Sequence, residues 1–175
     1  MPTSLILLNF SRIVIGLAFV ASSLSKLSDL GSFEKAVAGF QILPAFLHKI
    51  SAFMFIFAEL IVALVMLLGG EWLNIGFLLA IFLLTVFTGA LASVLVRRIR
   101  VGCNCFGSTN KTVSHYDVVR NSGFILLGIA GWAGTFTPVN RQINVLETTL
   151  LILFALAFVI LWINLREIIE VFQGN

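Results

Sequence analysis

The chain contains two cysteines, Cys103 and Cys105, separated only by Asn104. Thiols this close in sequence suit exchange chemistry better than scaffolding. A Cys-x-Cys disulfide closes a small ring, in which a close Cα separation and the preferred dihedral are hard to satisfy together. Such bonds are strained and easily reduced. Gly102 and Gly107 flank the pair and permit unusual backbone angles. Downstream, Ser114-x-x-Asp117 has the pattern of a capping box that opens a helix. The partial positive charge of a helix N-terminus favours a thiolate, the reactive form of cysteine. His115 stands at the same helix start, where it is either a proton-exchanging group or a solvated residue. Two other readings of the pair are open. One is a metal site with His115 and His48, although the spacing matches no standard zinc motif and no metal is expected. The other is a pair of inert loop cysteines.

The elements that must position this pair are apolar. Of the 175 residues 59% are hydrophobic and 11% charged, against roughly 25% charged in a soluble domain. Such a chain cannot cover a water-facing surface. Its outer solvent is expected to be lipid, and in lipid the backbone must bond to itself as helix. Five stretches are long enough to span: 5–24, 46–68, 72–96, 116–136 and 145–165. The expected fold is an all-α membrane protein, a four-helix transmembrane bundle with a fifth transmembrane helix, forming one domain over 1–175. Trp72, Trp132 and Trp162 fall near the predicted ends, where an aromatic belt is expected. In the first connection, Phe33, Val37 and Phe40 follow helical spacing, which predicts a short amphipathic helix at the interface. The segment 97–115 holds the cysteines. The net charge of +3 comes from scattered basic residues, with no basic tract suited to nucleic acid.

Five spans put the first and third connections on one side. That side collects Lys26, Lys35, Lys49, Arg97, Arg98, Arg100, Lys111 and Arg166, while the other has essentially Arg141. The positive-inside rule makes the basic side cytoplasmic. A disulfide-forming site belongs in an oxidising compartment, so the charge count and the chemistry of the pair point to opposite faces.

Arg12, Glu59 and Arg120 fall inside predicted spans, where ionisable residues are functional candidates. Arg12 and Glu59 both lie roughly 10–14 Å from the less basic side at 1.5 Å per residue, so they are expected to pair. Arg120, roughly 9 Å below the basic side by the same rise, is expected to reach toward the cysteine loop, with Asn121 in support. Lys26, at a span end, is expected to snorkel.

Cys103-Asn104-Cys105-Phe106-Gly107 followed by Ser114 and Arg120-Asn121 resembles the MauE family. Arg12, Ser25-Lys26, Phe40-x-x-x-Pro44 and Glu59-Leu60 fit the same pattern, so the resemblance covers most of the chain. That family is similar to the DoxX-like proteins and, in architecture, to the four-helix thiol oxidoreductases DsbB and vitamin K epoxide reductase. The resemblance implies disulfide exchange at a membrane of the bacterial cell, the inner or plasma membrane. It implies catalytic roles for Cys103 and Cys105, beside which Arg120 and His115 are catalytic candidates by their position, and a quinone as cofactor near Arg120, Asn121 and Lys26. The DsbB-like enzymes carry Cys-x-x-Cys and a second cysteine pair, and this chain has neither. The relay partner is then expected to be another protein, either thioredoxin-like or a disulfide-containing substrate. Two rival expectations are a non-enzymatic assembly factor for such a partner and a small transporter or lipid-binding bundle.

Overall fold

A computed structural model describes residues 3–99, 101–102, 112–137 and 144–172. Cys103 and Cys105 lie outside the described residues. Among those described, the chain forms α1 (Thr3–Ser28), α2 (Leu30–Gly39), a 3₁₀ turn (Ala45–Leu47), α3 (His48–Leu68), α4 (Leu73–Val96), α5 (His115–Gly134), α6 (Val145–Ile163) and α7 (Leu165–Phe172). The expected all-α architecture is observed. The predicted helix in the first connection is α2, which buries Phe33 and Ala36 and is followed by buried Phe40.

Four segments are long and apolar enough to cross a membrane: Ser4–Ser28, Ala45–Leu68, Leu73–Val96 and Val145–Ile163. The chain is therefore a multi-pass helical membrane protein. The expected fifth span is not among them. Its helix, α5, carries Asp117, Arg120 and Asn121 in its first two turns, which dilutes its apolar character.

Helices α1, α3, α4 and α5 form a closed ring, each packed on the next, and α6 lies outside against α1. Buried Val14, Ile15, Val62, Met66, Phe77 and Phe124 fill the ring. Hydrophobicity alone does not draw helices together in lipid, so close packing at small residues matters. Here Gly131 admits the Phe77 ring and Ser11, and Gly134 sits against Leu8. Gly131 opposite Phe77 near the start of α4, and Val118 in the cluster with Leu91 and Val94 near its end, show α5 running antiparallel to α4. The outer face of α6 exposes Leu150, Phe154, Ile160 and Leu161.

Arg12 corrects one expectation. It does not pair with Glu59. Its Nε donates to the Met66 carbonyl at 2.7 Å and its Nη2 to the Leu67 carbonyl at 3.0 Å. These carbonyls close the last turn of α3 and have no partner further along the helix. Arg12 thus serves as a C-terminal cap supplied from a neighbouring helix.

Candidate functional site

The charge that Glu59 does meet is Lys26. They form a buried ion pair between Nζ and Oε1, with the lysine 1% and the glutamate 4% exposed. The sequence expectation that Lys26 snorkels is overturned. Helix α1 continues to Ser28, so Lys26 is part of the helix rather than of its fringe. Its neighbour one turn back, Ser22, faces the same way. Lys26 Nζ donates to Ser22 Oγ at 2.9 Å, and Ser22 Oγ donates to Glu59 Oε1 at 3.0 Å.

The ammonium is surrounded by aromatic faces. Nζ lies 5.1 Å from the Phe33 ring centre, 4.9 Å from Phe55 and 5.2 Å from Phe87. Those rings come from α2, α3 and α4, so the cage assembles only when the bundle does. Cation–π contacts in such a desolvated setting are worth about 2 kcal/mol or more. Even so, taking two ions out of water costs several kcal/mol each, and a buried pair is weak evidence for stability. Inside a membrane helix it is a functional candidate.

A cavity of about 30 Å³ adjoins the pair, lined by Ser22, Lys26, Phe55, Glu59, Phe87 and Asn121 among others. That is room for about one water-sized group. Asn121 and Lys26, both singled out in the sequence, therefore meet at one place. Glu59 and Ser22 join them. The sequence pattern singles out neither for this site, although Ser22 and Lys26 at i and i+4 share a helix face. Glu59 Oε2 is buried with no hydrogen-bond partner among the described residues.

Arg120 turns away from this cavity. It pairs with Asp117 at 3.1 Å, and its Nη1 donates to the Ile163 carbonyl at 3.3 Å. Trp162 Nε1 donates to the Arg120 carbonyl at 3.0 Å, so α5 and α6 are linked in both directions. His115, the first residue of α5, is exposed. His48 Nε2 is 2.9 Å from the Leu43 carbonyl. Among the described residues no cluster of three metal-ligating side chains occurs.

The base of the cysteine loop is well defined. Gly102 and Thr112 form an isolated antiparallel bridge, and Val113 N donates to the Val101 carbonyl at 2.9 Å. Gly102 and Thr112, the described residues on either side of 103–111, are thus paired as a neck. Val101 packs on Gly39, where a Cβ would lie 2.8 Å from its methyl group. Val113 packs with Phe40, Leu91 and Val94. Arg97 Nη1 donates to the Phe40 carbonyl at 3.2 Å, and Arg166 Nη1 to the Thr112 carbonyl at 3.0 Å. The capping box expected after the loop is present: Ser114 N donates to Asp117 Oδ2 at 2.8 Å.

Beside the neck runs a larger apolar groove of about 400 Å³ between α2, α3 and α4. Phe40 lines it near the neck, and Phe33, Phe55 and Phe87 separate it from the ion pair.

These features define a multi-pass helical membrane protein with a buried ion-pair cavity, an apolar groove next to it, and a paired neck, Gly102–Thr112, flanking the segment that carries Cys103 and Cys105. The family model for methylamine utilisation protein MauE matches residues 4–134, and the chain belongs to the MauE family. It is 33% identical over 142 residues to methylamine utilization protein MauE of Paracoccus denitrificans, covering 80% of this chain and 76% of that protein. No solved structure matches the chain.

Proposed function

We propose that this protein is a membrane thiol-disulfide oxidoreductase working through Cys103 and Cys105. The observation that carries this reading is the neck. The Gly102–Thr112 bridge holds both ends of the cysteine segment on a fixed base, directly before a capped helix whose dipole favours a thiolate. In the proposed reaction a thiolate of a partner protein attacks the Cys103–Cys105 disulfide. One sulfur–sulfur bond breaks and a mixed disulfide forms. The partner's second thiolate then displaces the loop cysteine, leaving the partner oxidised by two electrons and the loop pair as a dithiol. The partner is a thioredoxin-like protein or a substrate with a cysteine pair. The loop dithiol returns to the disulfide by passing two electrons and two protons to a lipid-soluble quinone.

In this reading α5 is the fifth span. Its antiparallel course along α4 and its glycine contacts support that placement. The membrane is the bacterial inner membrane, and the loop faces its oxidising side. Several basic residues behind the opposing charge count have structural tasks: Lys26 is buried against Glu59, Arg97 holds Phe40 and Arg166 holds Thr112. A count of cations free in loops is correspondingly weaker.

The test is a Cys103→Ser/Cys105→Ser double variant together with each single variant. Exchange with a reduced thioredoxin-like protein should vanish in the double variant, while a single-cysteine variant should trap a mixed disulfide. Full exchange in the double variant would sink the reading. Partner maturation that survives it would instead favour a non-enzymatic assembly factor.

A further inference from the structure

We infer that the apolar groove and the ion-pair cavity behind it form one binding site for a lipid-soluble quinone, with Lys26 and Glu59 holding an oxygen of its ring. The inference rests on the redox reading for its choice of ligand, but the site is argued from the groove and the pair themselves.

The groove and the cavity adjoin, because Phe55 and Phe87 line both. Joining the two requires a change of rotamer at one of these rings. The joined space is amphiphilic. Its larger part, about 400 Å³, is walled by Phe33, Phe40, Phe55 and Phe87 with aliphatic neighbours. Aromatic rings prefer offset-stacked or edge-on partners, so this wall suits a flat ring better than a bare acyl chain. The smaller part, about 30 Å³, admits a single oxygen.

The polar residues of that smaller part are Ser22, Lys26, Glu59 and Asn121. An ammonium has three N–H donors. Lys26 directs two at Ser22 Oγ and Glu59 Oε1, and the third has no oxygen acceptor among the described residues. Glu59 Oε2 is a buried acceptor with no donor. One open donor beside one open acceptor matches an oxygen that accepts as a carbonyl and also donates as a hydroxyl. A quinone and its quinol present these two forms at the same atom. A hydrocarbon chain presents neither, and would leave Glu59 Oε2 buried and unsatisfied, which costs free energy. The groove also runs to Phe40, whose backbone and ring hold the neck of the cysteine loop. The ligand would therefore lie between the ion pair and the base of the thiol segment.

The experiment uses photoreactive azido-quinone on the full chain in phosphatidylcholine vesicles. It is done on the Cys103→Ser/Cys105→Ser background, so that labelling needs no thiol chemistry. Label should map to α2, α3 and α4 at the groove and be displaced by a short-chain quinone but not by oleate. Ala90→Phe, which fills the groove, should lower labelling about tenfold, the loss expected for a change near 1.4 kcal/mol. Val86→Phe provides a second filling variant should the first fail to fold. Lys26→Met/Glu59→Met removes both polar groups while keeping an apolar interior, and should lower labelling as much. Label spread over the lipid face of α6, displacement by oleate, or labelling unchanged in the folded filling variants would overturn the inference. Labelling as described, with no exchange activity in the wild type, would instead overturn the redox reading and leave the site standing.

Discussion

The guanidinium of Arg12 occupies the space that a side chain at Gly69 would need. A Cβ placed on Gly69 would lie 2.8 Å from Arg12 Cζ, and the residue has φ of +75°. Only glycine adopts that backbone freely while leaving room for the cap.

Gly69→Ala is therefore expected to destabilise the bundle by about 1–3 kcal/mol, through backbone strain and displacement of Arg12. Arg12→Met should act at the same place by removing both donors from the Met66 and Leu67 carbonyls. The two changes together should cost less than their sum, because each disrupts the same cap. Unfolding in detergent micelles measures all three, and simple additivity would refute the shared cap.

Lys26 and Glu59 lend themselves to a similar cycle. Lys26→Met or Glu59→Gln alone should destabilise by about 3–5 kcal/mol, because each leaves a buried polar group without its partner. Lys26→Met/Glu59→Met should recover most of that loss. It should not recover function, if the pair is kept for its chemistry. A fully active double variant would reduce the pair to a packing device.

Asp29 caps α2, accepting from the Ser32 amide at 3.0 Å. Hydrogen bonding to Ser32 holds its carboxyl below the ordinary value of 3.8. With the folded value depressed, its contribution is fully present above pH 3.8 and is lost as pH falls through the lower folded value. Amide exchange in the first turn of α2 should accelerate in Asp29→Ala near neutral pH. The wild type should show the same acceleration only in acid. Equal exchange in both proteins at neutral pH would contradict the assignment.

The side of the cysteine loop is open to direct labelling. After mild reduction of intact cells, a membrane-impermeant thiol reagent is expected to modify Cys103 and Cys105. Protection until the cells are permeabilised would place the loop in the cytoplasm, as the charge count alone suggests.

The helices were legible from hydropathy because lipid leaves the backbone no alternative, and Ser114 and Asp117 announced the start of α5. Relative offset was not legible. Arg12 and Glu59 were placed at equal depth by counting from the ends of apolar runs. Packing instead sets Arg12 beside Met66 and Leu67, and brings Glu59 level with Ser22 and Lys26. Apolar runs also understate a helix that ends in polar residues, which is why α1 reaches Ser28 and Lys26 is buried. At the site, Lys26 and Asn121, two of the three residues singled out with Arg120 for a cofactor, line one cavity, and Arg120 does not. The cage of Phe33, Phe55 and Phe87 was invisible among 17 phenylalanines, since nothing in the spacing tells a ring that faces lipid from one that faces an ammonium.

The two groups of charge respond differently to the surrounding electrolyte. Lys26 and Glu59 sit where mobile ions cannot enter, so their attraction is insensitive to ionic strength. The Arg166–Glu170 pair, 26% and 40% exposed, meets the same electrolyte as the outside solution. Arg166 is also the side chain that fastens Thr112. Added salt therefore weakens the Arg166–Glu170 pair while leaving the attraction between Lys26 and Glu59 as it was.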